Sequence, residues 1–398
     1  MPGMGEPLKG AIIMARLLQE NEVKKFNMAS EMKNYLEKRQ ASDVWIEPYV
    51  KELEIKGFAN NPIGIPVLRK DLEKEGIVFP DFVSNDSIQE CMNNQSVFIV
   101  LPYEDKMTVF PLRETAYTSI LKRVQLGGGS MTRINPEGDV SVLAPEKKGT
   151  FINECAKLFE RKSCILLQDE MISTVNGGRY VPLNNKVLID MLEVTLMERW
   201  DEVSFKNAEA SHCFFSAVYD IRDEKWCKRL IETLDDAGFD VESVDIVLKY
   251  ISSDITDSKA KVVPVITINK KPMIANISVG IEHTSPSLER WQAELDKLFT
   301  CVEKSASRIE ELAKTKVDDI ESCMKDFISK CPFIPTRTGN RYAEEMGVYY
   351  TSGTALDVYY LLLDIKKEDF ESKGMKLTPD KQWEYMENLS REVFNYVF

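Results

Sequence analysis

Residues 203–268 read VSFKNAEASHCFFSAVYDIRDEKWCKRLIETLDDAGFDVESVDIVLKYISSDITDSKAKVVPVITI, and this stretch decides the fold. Val203–Tyr219 carries Phe205, Phe214, Phe215, Val218 and Tyr219, which suit a pleated, half-buried surface, so a strand is expected. Glu224–Ala237 changes to helical spacing, with Trp226, Leu230, Ile231 and Leu234 on one face. Gly238 follows, where a left-handed residue closes a helix. Ile246–Ile251 and Val262–Ile268 are apolar runs of strand length, and Ile274–Ile281 leads to Ser285-Pro286. That pair opens one long helix from Ser287 to Ala313. Strand, helix, strand, strand and long helix predict an α+β protein with a mixed β-sheet core and flanking helices.

The long helix carries Leu288, Trp291, Leu295, Leu298, Phe299, Val302, Ile309 and Leu312 in one apolar stripe. At about 27 residues it would run about 40 Å. It would then outrun its sheet and leave one end for a second subunit, so a homo-oligomer is expected. Outward from this centre, Leu8–Arg39 has a helical period and Val67–Gly76 a helix ending at Gly76. Ser96–Leu101 and Met107–Pro111 flank a hairpin turn at 104–106. Thr115–Val124 and Ala144–Phe159 read as helices. Ser163–Gln168 and Ile172–Val175 read as strands, and Asn176-Gly177-Gly178 is the strongest turn signal, with a further strand at Tyr180–Leu183. Asn184 or Asn185 caps Lys186–Arg199. Helices follow at Val317–Lys330, Arg337–Glu345, Ser352–Leu363 and Asp380–Phe398. Loop signals at Gly57–Pro66, Gly127–Gly138 and Cys331–Pro335 mark seams. The expected division is a mainly helical region 1–95, an α+β core 96–330 and a helical region 331–398.

With 398 residues the chain can bury one elaborated domain or two. Net charge is −13, whereas proteins that coat nucleic acid are usually basic, so any such binding must come from a local patch. The acidic total equally suits docking on a basic partner. No apolar run approaches membrane-spanning length, so no membrane role is expected. The 8 cysteines contain no C-x-x-C spacing and read as reduced thiols in a reducing cytoplasm.

There are only two histidines, His212 and His283, and a Ser-His-Asp, Cys-His or common zinc site would have to use one of them. His212 beside Cys213 reads as a buried or edge histidine of an apolar strand. His283 in Glu282-His283-Thr284-Ser285 reads as a strand-end or capping residue. The loop 127–130 lacks the following Lys-Ser or Lys-Thr of a P-loop and the third glycine of a dinucleotide fingerprint. Glu54-Ile55-Lys56 looks locally like part of a metal-dependent nuclease but has no upstream Asp on a strand. The pairs Asp235/Asp236, Asp318/Asp319 and Glu344/Glu345 read as solvated helix faces. No metal, cofactor or catalytic residue is assigned.

Basic residues gather at Lys122, Arg123, Arg133, Lys147, Lys148, Arg161 and Lys162 around one glycine loop, with Arg337 and Arg341 further on. They are the candidate nucleic-acid contacts, a rim that with Tyr117 would track a single strand by charge and stacking. Two segments also resemble a known group in their order. The first runs from the loop 127–135 through Phe151–Phe159, Ser163–Glu170 and Asn176-Gly177-Gly178 to Tyr180–Leu183. The second runs from Gly280-Ile281-Glu282-His283-Thr284 through Trp291, Leu295 and Phe299 to Thr354–Tyr359. Over roughly residues 116–365 the chain resembles phage- and plasmid-borne proteins that share a domain of unknown function. The resemblance implies a mobile element in a bacterial cell and assigns no residue a role. The reading is therefore a non-enzymatic binding protein of a mobile element that acts on single-stranded DNA. Two alternatives stand beside it: an interaction module that inhibits a host defence or replication protein, and a hydrolase or nuclease, which would need His283 or a carboxylate cluster in a deep pocket. The interior is expected to hold no cleft with converging ionisable groups.

Overall fold

The computed structural model describes residues 16–18, 22–58, 66–126, 144–239, 241–255, 259–274, 278–375 and 379–398. Strand β1 (Lys24–Phe26) and helix α1 (Ala29–Ser42) come first, followed by β2 (Val44–Ile46) and β3 (Glu54–Gly57). Helices α2 (Arg69–Lys74) and α3 (Asn85–Asn94) precede the hairpin β4 (Val97–Tyr103)–β5 (Lys106–Pro111). Helices α4 (Glu114–Arg123) and α5 (Pro145–Ala156) lead to a second hairpin, β6 (Ser163–Gln168)–β7 (Met171–Gly177). The hairpins turn on Glu104-Asp105 and Asp169-Glu170, all four at positive φ, the geometry that matches the twist of the paired strands.

The chain continues through α6 (Asn185–Arg199), β8 (Glu202–Ala210), β9 (Phe215–Arg222), α7 (Glu224–Asp236), β10 (Val244–Ser252) and β11 (Ala260–Ile268). Short strands β12 (Lys271–Ile274) and β13 (Val279–Ile281) precede α8 (Leu288–Leu295) and α9 (Leu298–Lys314). Last come β14 (Lys316–Val317), α10 (Ile320–Lys330), α11 (Thr336–Tyr349), β15 (Gly353–Thr354), α12 (Ala355–Ser372) and α13 (Pro379–Asn395). Asn184, Asp223, Ser287, Asp319 and Thr354 each accept a hydrogen bond from the backbone N–H three residues on, which fixes where α6, α7, α8, α10 and α12 begin.

The fold is α+β, as expected, and its sheets are antiparallel. The largest has the order β1-β8-β9-β10-β11-β12, with β13 also on β11. Along β10 the burial alternates. Val244, Ile246, Leu248 and Tyr250 face a core shared with Trp226, Leu230, Trp291 and Leu295. The opposite face, with Val247, Ile251, Val263 and Val265, is covered by Trp383 and Met386 of α13. The sheet is therefore covered on both sides around β11, while the outer face of β8 stays open.

Two three-stranded sheets, β2-β6-β7 and β3-β4-β5, form a separate core, and a bridge between Leu112 and Ile172 joins them. Residues 50–175 supply its buried apolar residues, whereas the larger core draws on Leu18–Leu36 and then on Leu188–Val393. The division therefore differs from the boundaries expected at 95 and 331. The smaller core is inserted between α1 and α6 of the larger one. The N-terminal region also contains three strands, β1 to β3, where helix was expected.

Two further expectations change. Val203–Tyr219 is a hairpin, not one strand. Ser211 Oγ accepts from the N–H groups of Cys213 and Phe214 (3.1 and 3.2 Å) and closes the turn without glycine or proline. The helix expected at 287–313 is two helices. At the junction Lys297 N–H bonds to Glu294 three residues back, a tightened turn; Trp291, Leu295, Leu298, Val302, Ile309 and Leu312 stay buried across it, while Leu288 and Phe299 are exposed. At 17 residues, α9 spans only about 26 Å, so the argument for a protruding end lapses. Tyr180–Leu183 joins no ladder. It is an extended connector whose Val181 N–H donates to His283 O (2.8 Å).

Candidate ligand-binding cleft

The chain passes from the larger core to the smaller where α1 meets β2, and returns through residues 178–185. A cleft of about 310 Å³ lies at this crossing. Arg39 and Asp43 border it from the end of α1, and Trp45 from β2. Leu166 and Gln168 line it from β6, and the turn Ser211–Phe214 and Asp254, just past β10, close it from the larger core. Trp45 and Leu166 are partners in the β2–β6 ladder, whereas Asp43, Gln168, Ser211–Phe214 and Asp254 lie at or just past segment ends, where the backbone leaves regular pairing.

Behind the wall is a charged network. Asp169, at the tip of the β6–β7 hairpin, accepts from Arg39 Nη1 and from Leu17 N–H, each at 2.8 Å. His212 Nδ1 lies 3.5 Å from the same carboxylate. Arg39 also donates to Tyr35 Oη, and its Nη1 is 3.7 Å from Asp43 Oδ1. Gln168 Nε2 donates to Asp43 Oδ2 at 3.2 Å. Tyr180 Oη donates to Asp254 Oδ1 at 2.6 Å, and Asn176 Nδ2 to Asp254 O at 3.0 Å. Tyr180 stacks between Trp45 and His283, with ring centroids 5.5 and 4.5 Å away. Rings from β2, the 178–185 connector and the segment after β13 thus form one column across the junction. A second buried network, Arg16–Glu90–Arg113, lies inside the smaller core with both contacts at 2.7 Å.

Protonation follows from burial. The Asp43 side chain is 11% exposed. Desolvation pushes its carboxyl up from 3.8 to about 8; Arg39 opposes the shift and Asp254 adds to it. Burial likewise raises Asp254, against the Tyr180 hydrogen bond and the charges of His283 and Arg39. Burial works against the Arg39 charge too, but Asp43, Tyr35 and Asp169 outweigh it and hold the guanidinium protonated. Among the described residues no group of three His, Cys, Asp or Glu side chains is arranged to hold a metal ion. The expectation of an interior without converging ionisable groups is overturned. His212, expected within a strand, sits in the β8–β9 turn on the wall of the cleft. His283, expected as a strand-end or capping residue, sits in the turn two residues past β13 and is buried against Tyr180.

The basic rim is only partly assembled. Lys122, Lys147, Arg161 and Lys162 are exposed, and Arg123 and Lys148 half-buried. Arg161 Nη2 donates to Arg123 O, which brings these two together. Burial lowers the Lys148 pKa. Arg133 lies outside the described residues. Arg337 and Arg341 are on α11 over the larger core, where Arg341 pairs with Glu368 at 3.2 Å, so they do not extend the rim. Tyr117 is buried at 4% exposure and presents no face for a base. The exposed ring nearby is Tyr49, with Lys51 Nζ 5.8 Å and Lys162 Nζ 6.0 Å from its centroid. The sequence reading missed Tyr49 and the acidic residues of the cleft, although Asp43 does stand between a helical and a β-leaning run.

Among the described residues no helix is long and apolar enough to cross a membrane. Comparison with protein-family models, curated proteins and solved structures found no match to this chain.

Proposed function

We propose that the protein binds a compact polar ligand in the cleft between its two cores. The observation that carries this reading is a cavity of about 310 Å³ between the two cores, lined by Leu166 and Gln168 from the smaller and by the ionisable Arg39, Asp43, His212 and Asp254 from the segments around the larger. That volume is at the lower end of ligand pockets, and junctions between packed units are where such sites concentrate. Leu166, Leu183, Trp45 and Phe214 supply apolar wall; Asp43, Asp254 and Gln168 supply orientation. The test is an NMR screen of compact polar fragments that follows the Trp45 indole N–H resonance. Hits should move it in the wild type and fail to do so in Leu183→Trp, which plugs the cleft. A fragment set that leaves all cleft resonances unmoved refutes the proposal.

A second reading has its own support. Tyr49 is 39% exposed between Lys51 and Lys162, and Arg161 stacks on Phe159 at 4.8 Å. An exposed ring flanked by cations is a stacking platform for an unpaired base, worth about 1–3 kcal/mol. Single-stranded DNA binding on this surface suits the resemblance to phage- and plasmid-borne proteins. Fluorescence anisotropy with a labelled oligonucleotide should then rise at low salt and weaken steeply with added salt. Tyr49→Ala should cut affinity at least about fivefold at constant salt. An unchanged anisotropy at low salt removes this reading.

A further inference from the structure

The acceptors in the cleft point to the class of its ligand. Asp43 Oδ1 and Gln168 Oε1 are buried, both residues line the cavity, and neither atom has a hydrogen-bond donor. They are neighbours, since Gln168 Nε2 holds the other oxygen of Asp43. Gln168 is 7% exposed. A buried acceptor without a donor is costly and creates a demand for N–H or O–H groups. The charge balance has a sign as well. Asp43 and Asp254 line the cleft and Asp169 lies behind it, around the guanidinium of Arg39, which is hydrogen-bonded to Asp169 and Tyr35 and lies 3.7 Å from Asp43 Oδ1. His212 lies beside Asp169, and His283 beside Tyr180 and Asp254. Among the described residues no lysine is in the lining. Tyr35, Trp45 and Phe214 add aromatic wall, which favours a cation through the ring quadrupole.

We propose that the ligand is a small organic cation with N–H donors, a protonated amine or amidine, bound with its charged head on Asp43 and Gln168. This rests on the cleft being a ligand site. The head would donate to both orphaned acceptors and pair with the Asp43 carboxylate that its binding leaves deprotonated. An anion would face the carboxyl groups of Asp43 and Asp254, and a neutral isostere would supply donors without charge. Because the buried Asp43 holds a proton until about pH 8, binding a cation expels that proton. Affinity therefore climbs as pH rises toward 8, up to tenfold per pH unit, and then levels.

The experiment uses the full chain and a matched series: benzamidine, which keeps its charge across the range, neutral benzamide and anionic benzoate. Titration calorimetry at pH 6, 7, 8 and 9 is run on wild type, Asp43→Asn and Leu183→Trp. The expected result is benzamidine binding at least tenfold tighter than benzamide, no benzoate binding, proton release below pH 8, and loss in Leu183→Trp. Asp43→Asn should weaken benzamidine at least tenfold and flatten the pH dependence to the part that Asp254 supplies. Should Asp43→Asn not fold, the wild-type pH dependence and proton release decide the matter. Benzamide or benzoate binding as well as benzamidine, and expelled by Leu183→Trp, overturns the cation assignment and leaves the cleft standing. Benzamidine binding that ignores both substitutions overturns the cation assignment by placing it elsewhere. No binding by any of the three overturns the cation assignment, and the fragment screen then decides the cleft itself.

Discussion

Replacing Asp43 by Asn removes one ionisable group and keeps the side-chain shape. Asn retains an acceptor for Gln168 Nε2, and Arg39 keeps its 2.8 Å contact with Asp169. In the native state the Asp43 carboxyl titrates near 8, not at its ordinary 3.8. Between those values the folded protein holds a proton that the unfolded chain has released. Stability contributed by this group is thus full below about pH 4, falls as pH rises through neutrality, and levels above about pH 8. At 1.36 kcal/mol per pH unit the ceiling is about 6 kcal/mol. The side chain borders a cleft that admits water, and Asp254 takes over part of the slope once Asp43 is gone, so about 3 kcal/mol is the working magnitude. Urea unfolding of wild type and Asp43→Asn at pH 5, 7 and 9 measures it. The two should be close at pH 5, and the variant the more stable by about 3 kcal/mol at pH 9. Parallel pH profiles, or a variant weaker than wild type at pH 9, would refute the reasoning about the buried carboxyl.

Other expectations follow from the same contacts. Glu90→Gln strands Arg16 and Arg113 in the smaller core and should cost about 3–5 kcal/mol in urea melts; a loss under about 1 kcal/mol contradicts the buried network. Gly57→Ala would set its Cβ 2.0 Å from Pro145 O at the start of α5, a backbone clash that no rotamer relieves. It should destabilise by about 3 kcal/mol or more, and a wild-type melting temperature would contradict that close approach. Thr354→Ala deletes the hydroxyl of a capping box with Asp357 and should cost about 1 kcal/mol, read as a lower denaturant midpoint at unchanged slope.

The parts of the fold that read well in the sequence were those governed by local rules. Glu224–Asp236 was visible from its apolar face and from Gly238, whose φ of +93° suits the bonds Gly238 N–H and Phe239 N–H make to Asp235 and Leu234. The hairpin around residues 104–106 was visible for the same kind of reason. The β8–β9 turn was hidden because Ser211 closes it with a side chain, amid residues that suit strands. The α8–α9 break was hidden because neither Asp296 nor Lys297 is a helix breaker. The cleft was illegible for a different reason. Asp43, Gln168, His212 and Asp254 lie far apart along the chain and meet only through tertiary packing. No spacing rule links them. The rim shows the converse error, since proximity in sequence put Tyr117 beside basic residues while its helix turned the ring inward.

The insertion of the smaller core between α1 and α6 has a bearing on synthesis. A ribosome delivers α1 early, but Leu188, Leu192 and the strands that cover Met32, Tyr35 and Leu36 emerge only after residues 44–177. The inserted unit can close on its own while the apolar side of α1 is still uncovered at its doorstep. A nascent chain stalled in that interval would present that helix to chaperones, and release past residue 268 would withdraw it. The Trp45 and Tyr180 rings, 5.5 Å apart at the two ends of the insert, make the same unit a cassette whose entry and exit stand side by side.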